Sequence, residues 1–66
     1  MRDCCRMARE GVELCKALQR HYDLMINICD QRYREGLMCI YDDIRKHISM
    51  LERMCQRVCE EEGTPD

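Results

Sequence analysis

Two runs of apolar and small residues, spaced alternately by three and four positions, govern what this chain can fold into. The first passes through Met1, Cys4, Ala8, Gly11, Cys15, Leu18, Tyr22, Met25 and Cys29; the second through Leu37, Tyr41, Ile44, Ile48, Leu51, Cys55 and Val58. Such spacing keeps residues on one face of an α-helix, whereas a half-buried strand needs strict alternation. The sequence therefore predicts an all-α fold in one small domain, residues 1–66. A helix is expected over about 2–29, a turn over about 30–36, a second helix over about 37–61, and a frayed tail at 62–66.

The first run is small at Ala8, Gly11 and Cys15, while the second supplies isoleucine and leucine bulk, so the two faces suit each other. Folded as an antiparallel hairpin, they set Met25 near Tyr41, Tyr22 near Ile44, Leu18 near Ile48 and Ala8 near Val58, all in one register. An alternative is a three-helix bundle breaking at Gly11 and Gly36, since "REG" precedes or contains both glycines.

A chain of 66 residues is short for an independent core. At this length only roughly 60% of the unfolded surface is buried, and staples, a metal or a partner chain usually supply the rest. The expected architecture is accordingly a hairpin that dimerises to a four-helix bundle or is stapled by disulfides. The residues expected to carry assembly with a second copy, or with another helical protein, are Leu18, Tyr22, Met25, Ile44, Ile48 and Leu51.

Seven cysteines offer several staples and, being odd in number, leave one unpaired in a fully oxidised monomer. In the hairpin register Cys5 and Cys59 flank the core at the open end within reach of a bridge; reduced, they would be small buried thiols. Cys55 and Cys59, one helical turn apart, are a candidate dithiolate for copper or zinc. Cys4 and Cys5 sit near Arg2 and Arg6 at a helix N-terminus, surroundings that favour a reactive thiolate.

Cys5 and Cys15 form one CX9C motif, and Cys29 and Cys39 form another. This spacing resembles the twin CX9C proteins of the coiled-coil-helix-coiled-coil-helix family over residues 5–39. The resemblance implies two antiparallel helices joined by Cys5–Cys39 and Cys15–Cys29 disulfides. It also implies oxidative trapping in the mitochondrial intermembrane space, with an assembly, chaperone, metal-delivery or lipid-transfer role.

The remaining residues argue against several classes. No nucleophile elbow, HEXXH or glycine-rich phosphate loop is present, Ser49 is the sole serine, and no enzyme is expected. His21 and His47 lie beside the runs as solvated boundary residues. Arg2, Arg6, Arg9, Lys16 and Arg20 share an outer face, but Asp3, Glu10, Glu13 and Asp23 interleave with them and the net charge is -2. Nucleic acid is thus not the expected partner. No apolar run approaches the roughly 20 residues that span a bilayer. The expected location is the cytoplasm if the thiols are reduced, and the intermembrane space or another oxidising compartment if they are bonded.

Overall fold

The computed structural model describes residues 3–63. Over these the chain is an antiparallel helical hairpin: α1 (Asp3–Ile28), a single 3-10 turn (Gln31–Tyr33) and α2 (Arg34–Glu61), with no strand among the described residues. The all-α hairpin read from the spacing is therefore the fold. Met1, Arg2 and residues 64–66, which include the start of the first run and most of the expected tail, lie outside the described residues.

The three-helix alternative is not what forms. Gly11 lies inside α1 and Gly36 inside α2, and neither takes left-handed backbone. The apolar spacing runs straight through both, and a helix tolerates an interior glycine at about 1 kcal/mol relative to alanine.

The reversal comes earlier than Gly36. Asp30 has extended backbone, φ -54° and ψ 141°, and its Oδ1 accepts the Arg32 N–H at 3.0 Å while its carbonyl accepts the Tyr33 N–H at 3.0 Å. The aspartate side chain thus starts the turn by capping, as aspartate commonly does. Arg32 packs over the Tyr33 ring at 5.0 Å, and α2 begins three residues before the expected position. At the far end the chain leaves α2 through Gly63, whose φ of 69° is the left-handed stop that glycine permits.

The core is a single seam. Cys5 and Val12 of α1 meet Leu37, Ile44, Ile48 and Cys59 of α2 as its buried members. Ala8, Cys15, Gln19, Tyr22 and Ile26 complete the α1 side as half-buried residues. This line lies about 50° round α1 from the expected one, at 100° per residue. Val12 and Ile26, absent from the expected run, turn inward, while Cys4, Leu18 and Cys29 turn out. The cause is that the apolar arc of α1 is wider than one partner helix can cover. Val12 and Ile26 take places in the seam beside Cys5, Ala8 and Cys15, and the remainder of the arc, including Leu14, Leu18 and Ile28, stays in solvent.

The axial register agrees with the expected pairing, although Leu18, expected against Ile48, is turned out of the seam. Cys5 and Cys59 have Cα atoms 4.9 Å apart, and Lys16 Nζ reaches Glu52 Oε2 across the pair at 3.4 Å. Both side chains of that ion pair are substantially exposed, so it contributes at most about 1 kcal/mol. The resulting rod measures 47 × 14 × 14 Å.

Candidate functional site

Two features of the rod have chemical potential: a sulfur cluster at its open end and an uncovered apolar face along one side.

At the open end, the first turn of α1 and the last turn of α2 place Cys5 against Cys59, and the two are joined by a disulfide. Both are almost fully buried, at 1% and 2% exposure. The Cys5 N–H, which the first turn of a helix leaves without an intrahelical acceptor, donates to Glu62 Oε1 at 3.0 Å. A carboxylate from the end of α2 thereby caps α1, where the helix dipole also favours negative charge. Glu62 was expected in the frayed tail; it is half-buried and bonded instead. Cys55, one turn before Cys59, brings its Sγ to 3.9 Å from Cys59 Sγ.

This geometry corrects one sequence expectation and bears on two that concern reduced thiols. The pairing implied by the twin CX9C resemblance is absent, because Cys5 is bonded to Cys59 while Cys15, Cys29 and Cys39 are free. About 30 Å of α2 separates Cys39 from Cys59 beside Cys5, and about 20 Å separates Cys15 from Cys29, at 1.5 Å rise per residue. A disulfide needs Cα atoms within about 7 Å. Cys55 and Cys59 are not a free dithiolate, since Cys59 is bridged. Cys5 is likewise not an accessible thiol, whereas Cys4 is exposed and free. In this oxidised form no group of three or more His, Cys, Asp or Glu among the described residues is arranged to hold a metal ion.

The two long sides of the rod differ in chemistry. On one, Arg9, Glu13, Lys16 and Arg20 of α1 line grooves with Arg45, Ser49, Glu52 and Gln56 of α2. The other side carries the part of the α1 arc that the seam leaves out. Met7, Gly11, Leu14, Leu18, Met25 and Ile28 repeat at four and three, with His21 completing the series, and Leu14 and Leu18 are 71% and 46% exposed. On an antiparallel partner whose charged edge faces the Lys16–Glu52 side, helical rotation sets Ile40, Asp43, His47, Met50 and Met54 of α2 toward this same, mainly apolar side. Ile40, Met50 and Met54 are all exposed.

The expected assembly residues divide between these environments. Ile44 and Ile48 are consumed by the intramolecular seam. Tyr22, Met25 and Leu51 are half-buried where the seam meets the apolar side, and Leu18 stands exposed on it. Met7, Leu14, Ile40 and Met54, outside the expected set because that set followed one stripe on each helix, also stand exposed on the apolar side. His21 and His47 are exposed, as expected.

No helix among the described residues is long and apolar enough to cross a membrane. No protein-family model, curated protein or solved structure matches the chain.

Proposed function

We propose that this chain is a non-catalytic interaction module that self-associates through its apolar side, two hairpins packing face to face into a four-helix bundle. The supporting observation is surface area. A folded monomer of 8.0 kDa exposes about 4,450 Å² by the scaling of area with mass, and this chain exposes 5470 Å². The excess of about 1,000 Å² is comparable to the roughly 800 Å² that each partner buries in a standard interface. Its shape carries the same message: the radius of gyration is 14.9 Å, against about 10.8 Å for a compact domain of this length.

The apolar side has the composition an interface needs. Leucine, isoleucine and flexible methionine dominate it, and contiguous exposed apolar patches on soluble monomers are generally small or functional. A Cβ at Gly11 would meet nothing within 4 Å, so the space over the middle of the face is open to a partner side chain. The ion-paired opposite side would remain in water and keep the assembly from growing further. A chain that retains the Cys5–Cys59 bridge belongs to a compartment where thiols oxidise; in the reducing cytoplasm, assembly would have to supply the stability the bridge gives.

Light scattering after size-exclusion chromatography tests the proposal. At high micromolar concentration the parent should run at twice 8.0 kDa. Changing Leu14 and Leu18 together to glutamate should halve that mass with the disulfide and helicity intact, because exposed substitutions in a monomer cost only about 0.5 kcal/mol each. A parent mass of 8.0 kDa would overturn self-association. A double variant that stayed dimeric would place the interface elsewhere.

A further inference from the structure

We propose that reduction of the Cys5–Cys59 bridge converts the open end of the rod into a binding site for one Cu(I) ion, held by the three thiolates of Cys5, Cys55 and Cys59. The inference is independent of the apolar side and of self-association.

The geometry comes from two observations already described. Cys55 Sγ and Cys59 Sγ are 3.9 Å apart, with Cys5 joined to Cys59 and its Cα at 4.9 Å. Two sulfurs sharing one ion at metal–sulfur distances of about 2.3 Å lie about 3.8 to 4.0 Å apart, for angles from tetrahedral to trigonal. Cys55 and Cys59 already have that separation. The third sulfur is that of Cys5, whose Cα lies 4.9 Å from that of Cys59, close enough for its side chain to share an ion held by Cys59 once the bridge opens.

The donor set selects the ion. Thiolates suit soft Cu(I), which is satisfied by few ligands, whereas structural zinc takes four. The histidines that would complete a zinc site are far off: at 1.5 Å per residue His47 is about 18 Å from Cys59, and His21 about 24 Å from Cys5. Cys4 is exposed and turned about 100° round α1 from Cys5.

The chemistry balances in two steps. A thiol reductant of the glutathione or dithiol class is oxidised to its disulfide, giving two electrons and two protons to the bridge and leaving Cys5 and Cys59 as thiols. Cu(I) then binds Cys5, Cys55 and Cys59 with loss of three protons and no change in its own oxidation state. Disulfide and metal are thus alternative occupants of one place, and the ambient thiol poise decides between them.

The test uses the full chain with Cys4, Cys15, Cys29 and Cys39 changed to serine, so that only the three cluster cysteines remain. Reduced anaerobically and titrated with Cu(I) against a phenanthroline-type Cu(I) chelator, it should retain one ion per chain by native mass spectrometry and regain any helicity lost on reduction. The oxidised form should retain none. Adding Cys55→Ser should weaken binding by more than about a hundredfold, beyond the effect of losing an outer-shell partner. No retained copper in the reduced three-cysteine chain, equal affinity with and without Cys55, or copper held by a chain that stays unfolded would each overturn the proposal.

Discussion

Replacing Ile48 by aspartate is expected to abolish cooperative unfolding, leaving a chain without a thermal transition in far-ultraviolet circular dichroism. Ile48 is buried in the seam at the middle of α2. Its removal forfeits about 1.5 to 3 kcal/mol of apolar burial. The introduced carboxylate is then largely desolvated against apolar neighbours, and taking a charge out of water costs several kcal/mol even where Lys16, Arg20 and Arg45 of the adjoining groove can approach it. A chain of this length has only about 3 to 10 kcal/mol of stability in total. The milder Ile48→Val should keep the transition and cost about 0.5 to 1.5 kcal/mol. A cooperative melt in the aspartate variant would show that the register described here is wrong. Charge as such is not the cause of the loss: the glutamates placed at Leu14 and Leu18 should leave the hairpin folded.

Changing both Cys5 and Cys59 to serine is expected to lower the melting temperature by more than about 15 °C. The bridge closes a loop with a sequence separation of 54 residues. In the chain-entropy account that restricts the unfolded ensemble by about 4 kcal/mol, and in a domain this small each kilocalorie shifts the midpoint by about 4 to 8 °C. The double replacement avoids leaving one half of the bridge to pair with Cys4 or Cys55. Scanning the parent with and without a phosphine reductant should reproduce the shift, and the variant should ignore the reductant. If the parent melts at the same temperature in both, the disulfide does not form in solution.

Much of the hairpin was legible in the sequence because the evidence for it is local. Spacing of three and four over two long segments specifies helices, and a shared register of small against large residues specifies their pairing. The Cys5–Cys59 contact followed from that register alone. The turn was misplaced because its signal lies in a single side chain: Asp30 caps the Arg32 N–H, whereas Gly36 looked like a helix stop and is simply an interior glycine. The face of α1 was misjudged because hydrophobicity there extends over more than one partner can cover. Spacing alone does not say which part of so broad an arc is taken by the chain's own second helix. Val12 and Ile26 hold inner positions, and Leu14 and Leu18 are left outside. The capping of Cys5 by Glu62 had no sequence signal, since it depends on two chain ends meeting in space.

The rod is closed at both ends, by the Asp30–Tyr33 turn at one and by the Cys5–Cys59 bridge at the other. Helix pairs with a loose end come apart by peeling, the terminal amides exchanging with solvent long before the middle ones. Here there is no loose end, so the first opening has to be a bubble between two fixed closures, and amide protection should be nearly level along the seam. Cutting the bridge restores a direction to the process: protection should drain first from the amides around Val12 and Cys55 and last from those around Ile26 and Leu37. The disulfide therefore sets where the molecule begins to open as well as how firmly it stays shut.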